Sequence, residues 1–228
     1  MKLSDILSLK SMRFMDEPRE KDIKVIRQKP NLLQGFTIEY FKGNPPPQND
    51  SSKVKIELRK LSDLPHDIDF VKEMDAIDKV FKNYCDIQGL DFPQSLVDQL
   101  LDDSRIFTRT LKIHYNRPRP YQVADHPLVK IDIGKEAYME SMNTPSYPSG
   151  HSCQGILIAK VMSDMYPDHE YNFMSLGRDI SRSRNIGRAH YETDSKFGMK
   201  LGYAMYDYLK KMKRLWYLYR RRLLWKNY

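Results

Sequence analysis

Three short segments concentrate the side chains that could carry out a reaction. KIHYNRPRP (112–120) sets the cations Lys112, Arg117 and Arg119 beside two prolines. PSYPSGHS (145–152) runs small residues into a helix start at Ser149 and Gly150, with His151 next. SRSRNIGRAHYETD (181–194) holds Arg182, Arg184 and Arg188, then His190 and, four residues on, Asp194. A helix start leaves its first N–H groups unpaired and bears a partial positive charge, so Ser149 and Gly150 form a ready anion site. His151, at its edge, is placed to protonate a leaving oxygen. His190 and Asp194 at i and i+4 share a face if that stretch is helical. A carboxylate on one imidazole nitrogen fixes the tautomer and frees the other nitrogen as a nucleophile. Arginines grip phosphate oxygens in pairs of hydrogen bonds, and Lys112 adds a point charge. Two histidines with separate roles among several cations suit phosphoryl transfer, which is mostly positioning and charge stabilisation.

Singly, each piece has a plainer use. A histidine at a helix start caps it, Ser-Gly makes a turn, and a His–Asp pair is a structural hydrogen bond. Order and spacing carry the argument. The pattern is Lys112, six residues, Arg119-Pro120; then Pro148-Ser149-Gly150-His151; then Ser183-Arg184, five residues, His190, three residues, Asp194. It resembles, at every fixed position, the signature K-x6-RP, PSGH, SR-x5-H-x3-D of the phosphatidic acid phosphatase type 2 superfamily. That superfamily includes bacterial class A acid phosphatases and vanadium-dependent haloperoxidases. The resemblance covers residues 95–212 and leaves 1–94 and the C-terminal tail outside.

The resemblance implies roles by position. Lys112, Arg119 and Arg184 hold phosphate oxygens, and the N–H groups of Ser149 and Gly150 complete the cradle. His190 attacks phosphorus and becomes a phosphohistidine, Asp194 orients it, and His151 protonates the leaving alcohol. It implies no metal and no cofactor, with vanadate binding as an inhibitor. One departure stands out: many members have glycine two residues before the nucleophilic histidine, where this chain has Arg188, which alters the turn or adds a substrate contact. The expected activity is metal-independent phosphomonoester hydrolysis, with nucleotides or another intracellular phosphometabolite as substrate. The alternatives are a vanadate-dependent haloperoxidase and a peripheral lipid phosphate phosphatase.

Helices must position these residues. Cys153, Leu157, Val161 and Met165 step by four, flanked by Ile158 and Met162, which predicts a helix ending at Pro167. A helix from Pro93 runs through Phe107 and Leu111 towards Pro118, where proline stops it. A last helix starts near Asp194, with Phe197, Leu201, Met205, Leu209 and Met212 on one face. Upstream, Phe70, Val71, Met74, Ile77, Val80 and Phe81 also predict a helix. GFTIEYF (35–41) and KVKIEL (53–58) read as strands of a hairpin across a proline-rich loop. The expectation is a mainly α helical bundle of the acid phosphatase/vanadium haloperoxidase type with a small N-terminal β-hairpin. Its parts are an N-terminal extension (1–66), a helical core (67–212) and a basic aromatic end (213–228).

The chain has 228 residues, 40% hydrophobic and 30% charged, enough to bury a core. No run approaches the ~18 apolar residues that span a bilayer. The N-terminal stretch does not read as a signal peptide, and two cysteines make no disulfide framework, so a cytoplasmic location is the expectation. The net charge of +8 resides in residues 210–228, which hold eight basic residues and no acid. That tail suggests weak contact with a membrane surface or nucleic acid, beside its simpler use as a packed helix end. A small phosphorylated substrate is the main partner, and a homo-oligomer stays open. Tyr115, Tyr121, Tyr147 and Tyr191 are candidates to stack on a nucleobase.

Overall fold

The computed structural model describes residues 2–134 and 139–212; the basic end predicted for 213–228 lies outside them. Eleven α-helices follow in order among the described residues: α1 (Leu3–Ser11), α2 (Glu20–Ile26), α3 (Glu39–Lys42), α4 (Ser52–Ser62), α5 (Ile68–Glu73), α6 (Ile77–Gln88), α7 (Gln94–Tyr115), α8 (Pro120–Ala124), α9 (Gly150–Met165), α10 (Glu170–Ile186) and α11 (Glu192–Lys211). Short 3₁₀ turns occupy Glu140–Asn143 and Pro167–His169. No described helix is long and apolar enough to cross a membrane.

The predicted stripes organise the centre. α9 packs against α7, α10 and α11 and is buried nearly all round. Cys153, Leu157 and Val161 join Leu100, Leu111, Leu201 and Met205 in one cluster. Ile158, Ala159 and Met162 turn the other way, to Phe81, Phe173 and Ile180. Such an all-round apolar helix has no stable place except between other helices. Gly198 and Gly202, one turn apart on α11, let that helix touch α9: a Cβ at either would collide with the carbonyl of Ser149 or Cys153. The same contact lets Ser149 N donate to Asp194 O at 3.1 Å. Two motifs distant in sequence are thereby joined through backbone. α7 stops as expected before Pro118, with Asn116 in the left-handed region at φ 45°.

The hairpin does not form, and no strand occurs among the described residues. Residues 35–38 are turn and loop before α3, and 53–58 lie inside α4. In α4, Val54, Leu58 and Leu61 are buried while Ile56 is 52% exposed, a helical stripe. Apolar residues at 54, 56 and 58 fit either period, and the cap decides: Ser51 Oγ accepts from Val54 N at 3.3 Å. A lone two-stranded hairpin would also be marginal in water. The helix expected over 70–81 forms, but Met74–Ala76 divides it into α5 and α6. Val54, Leu58 and Leu61 share a cluster with Val123, Ile133 and Tyr191, so the N-terminal residues pack directly behind the third motif.

Candidate active site

α9 begins where the site begins. Ser149 is its N-cap, with Oγ accepting from Ser152 N at 3.3 Å. Ser149 is fully buried, and its own N–H is taken by Asp194 O. It therefore acts as a cap and a link, whereas Gly150, next along, lines a cavity of about 600 Å³ with a first-turn amide that the helix leaves free. Lys112, His151 and His190 line the same cavity.

His190 does not share a helix face with Asp194. It precedes the N-cap Tyr191, and Asp194 is the third residue of α11, its carboxylate reaching back to Tyr191 N at 3.0 Å. The pair still meets: Nδ1 lies 3.2 Å from Asp194 Oδ2. Nε2 lies 3.0 Å from Arg119 Nη1. A guanidinium only donates, so Nε2 accepts and the proton sits on Nδ1, facing Asp194. Burial, reinforced by Arg119 and Lys112, pushes the His190 pKa well below its usual value. Burial also opposes a charge on Asp194, but Arg117, His190 and Ser146 outweigh it and hold that carboxyl far below the carboxylate range.

Arg119 is fully buried and satisfied by the protein. It donates to Thr144 O (2.8 Å), Ala189 O (2.6 Å) and Ser141 O (2.7 Å) as well as to His190. Burial above all draws its pKa down to about 10. Burial does the same to Lys112, well below the lysine range, with Arg119 and Arg109 adding to it. Arg184, also fully buried, donates to Asp75 Oδ1 at 2.5 Å and to Val71 O at 3.0 Å. Neither arginine lines the cavity itself; they reach it through His190 and Asp75.

His151, the second residue of α9, also lines the cavity. Its Nε2 is 3.1 Å from Asp75 O and 3.3 Å from Asp75 Oδ1. Burial and Arg184 lower its pKa, and Asp75 works against them. The hydrogen bond from His151, with Arg184 nearby, holds the Asp75 carboxyl down to about 2.

A model of the PAP2 superfamily matches residues 103–216, half of the chain. The chain belongs to the PAP2 superfamily. It is 27% identical over 133 residues to an acid phosphatase of Zymomonas mobilis, a match covering 52% of this chain and 46% of that one. It is 30% identical over 95 residues to a non-specific acid phosphatase of Salmonella typhimurium, covering 42% and 36%. The matched part thus spans less than half the length of these curated relatives. In fold it resembles the first bacterial vanadium-dependent iodoperoxidase, with a TM-score of 0.65, 17% identity, and 87% of this chain and 60% of that one covered.

Several residues of this PAP2 site escape the motif. Arg117 sits inside K-x6-RP but not at a fixed position. It donates to Asp194 Oδ1 (2.5 Å) and Thr193 Oγ1 (2.8 Å) and stacks 3.8 Å over the Tyr191 ring. Glu57 of α4 approaches Arg117 Nη2 at 3.4 Å and accepts from Thr193 N at 2.6 Å. Its position inside an expected strand gave no hint of this. Asp75, at the break between α5 and α6, likewise had no local signal. The Arg188 departure now has a cause. That residue sits at φ 55°, where glycine is unstrained. Its buried guanidinium donates to the carbonyls of Leu64 (2.6 Å), Pro65 (2.9 Å) and Ile133 (3.0 Å). It braces the turn and does not line the cavity. None of the four tyrosines lines it either, and Tyr147 and Tyr191 are buried.

Proposed function

We propose that this protein hydrolyses phosphomonoesters through a phosphohistidine at His190. The observation that carries this reading is the state of the imidazole: Nε2 is unprotonated and Nδ1–H faces a carboxylate. Nε2 attacks phosphorus as the bond to the leaving oxygen breaks, and His151 gives that oxygen its proton. His151 then takes a proton from water, whose oxygen displaces His190 and releases phosphate. Lys112, Arg119 and Arg184, with the Gly150 amide, balance the charge on the phosphoryl oxygens, so no metal is required. The cavity exceeds what a phosphate fills, which supports small organic leaving groups, nucleotides among them. The names of the relatives, acid phosphatases, support the reaction class.

The pH dependence follows from the two histidines. His190 works neutral and its pKa is depressed furthest, so it stays competent into acid. His151 works protonated, and its pKa is also lowered; activity therefore falls as pH rises through that value. The optimum is acidic. Acid-labile, base-stable phosphate trapped on the protein from a ³²P-labelled ester, absent in His190→Ala, is the expected result. Turnover that persists in excess EDTA and stops with vanadate agrees with it. Undiminished turnover in His190→Ala would sink the proposal.

A further inference from the structure

Three cations of α7 line the cavity in a row. Arg105, Arg109 and Lys112 fall at i, i+4 and i+7, one face of the helix. Only Lys112, the innermost, is used in the reaction above. Beside them, the N-cap of α2 brings in Arg19. Arg19 binds Asp22 through Nε at 2.9 Å and Nη2 at 3.2 Å, and Arg109 binds the same carboxylate. The Asp22 side chain is 2% exposed. One buried carboxylate is thus shared by two guanidiniums, and the trio keeps a positive charge while facing the cavity. Among the described residues Arg105 pairs within its own helix, with Asp102 at 3.0 Å. Apart from Asp22, the carboxylates lining the cavity, Asp75, Asp78 and Glu140, lie on the α5–α6 connector, α6 and the 3₁₀ turn. The α7–α2 wall is therefore the cationic side.

We propose that this wall is a subsite for a second phosphoryl group, so that the preferred substrate carries two phosphates a few bonds apart, as a diphosphate or a bisphosphate. This rests on the phosphatase reading and narrows it. Arg109 lies about 4.5 Å along the axis from Lys112, and Arg105 about 6 Å beyond Arg109, at ~1.5 Å of rise per residue. That is the reach of a neighbouring phosphoryl group, not of a remote one. Burial, with Arg19 and Arg105 close by, disfavours the charge on Arg109 while Asp22 favours it; an arriving anion adds to the favourable side. The reaction balances as before. His190 Nε2 bonds to one phosphorus, the P–O bond to the rest of the substrate breaks, and the departing oxygen takes the His151 proton. Water then frees the phosphate. The second phosphate leaves with the product, held by α7 and Arg19 during the step.

The test compares kcat/KM of the full chain on matched pairs: 2-hydroxyethyl phosphate against ethylene bisphosphate, and AMP against ADP, with p-nitrophenyl phosphate as reference. The doubly phosphorylated member of at least one pair should be preferred about tenfold or more, mainly through KM, as expected for added charge-assisted hydrogen bonds. The pair that shows the preference tells a bisphosphate from an anhydride. Arg105→Gln and Arg19→Gln should each cut that preference by more than they cut the p-nitrophenyl phosphate rate. Arg109→Gln is avoided because Arg109 ties α7 to Asp22 of α2, whereas Arg19 pairs with Asp22 locally, three residues away. Inorganic pyrophosphate should inhibit more tightly than inorganic phosphate, and Arg105→Gln should narrow the gap. Good p-nitrophenyl phosphate turnover with no preference in either pair would overturn the subsite and leave the phosphatase standing. A preference untouched in the Arg105→Gln/Arg19→Gln double variant would also overturn it. Absence of turnover on every ester would overturn both readings.

Discussion

Two aspartate–histidine pairs meet the cavity through their histidines, and burial separates them. His190 and Asp194 are 2% and 0% exposed in their side chains; His151 and Asp75 are 16% and 44% exposed. Asp194 is anchored by Arg117, Ser146 and a backbone N–H on top of its histidine. Asp75 has Arg184 and sits on a three-residue connector. The difference matches the role proposed for each histidine. A nucleophile needs one tautomer and no competing proton, and burial among cations supplies both. An acid must trade its proton with substrate and water, so it needs access and a partner that keeps it basic enough to carry one.

His190→Ala tests the buried pair most severely. Turnover should fall on the order of 10⁴-fold or more, with the far-UV circular dichroism retained and no phosphoenzyme trapped. Asp194→Asn comes next, at roughly 10³- to 10⁴-fold in kcat, by analogy with amide replacement of an orienting aspartate. It should also lower stability by about 3 kcal/mol, because buried Arg117 loses its nearer carboxylate and keeps only Glu57 at 3.4 Å; urea melts would read this. The sign with pH is set by two depressed values. His190 favours the fold above its unfolded pKa of about 6.5, and Asp194 above about 3.9. Stability should therefore decline in two stages on acidification, and a flat profile from pH 7 to 3 would contradict the burial argument.

The open pair should respond more gently. His151→Ala should slow alkyl phosphates by about 10²- to 10⁴-fold and p-nitrophenyl phosphate much less, since that leaving group needs little protonation. Equal losses on both would remove His151 from the acid role. Asp75→Asn should be mildest, less than about tenfold at the optimum. Asp75 raises the pKa of His151, so its loss should move the alkaline limb of kcat/KM to lower pH. An unmoved limb would dissolve the comparison, leaving one functional pair and one incidental contact.

How much of this is visible in the chain depends on distance along it. The stripes of α7, α9 and α11 run for at least four turns, and over that length only one periodicity fits. The three motifs are equally legible, because each lies within a few residues of a helix end that positions it. The hairpin reading of 53–58 failed because six residues fit two periods and a capping serine outweighed strand propensity.

By itself, then, the sequence determined the helical class, the order of the long helices and the spacing of the three motifs along them. Local hydrogen bonding and side-chain period set those. Only the tertiary structure decided that Ser149 turns its N–H to Asp194, that Arg188 braces a left-handed turn, and that Glu57 and Asp75 join the site. Asp75 is 109 residues from Arg184 and 76 from His151, and Glu57 is 136 from Thr193. Contacts at such separations depend on how whole helices pack against α9, and no local pattern encodes a partner that packing alone brings near.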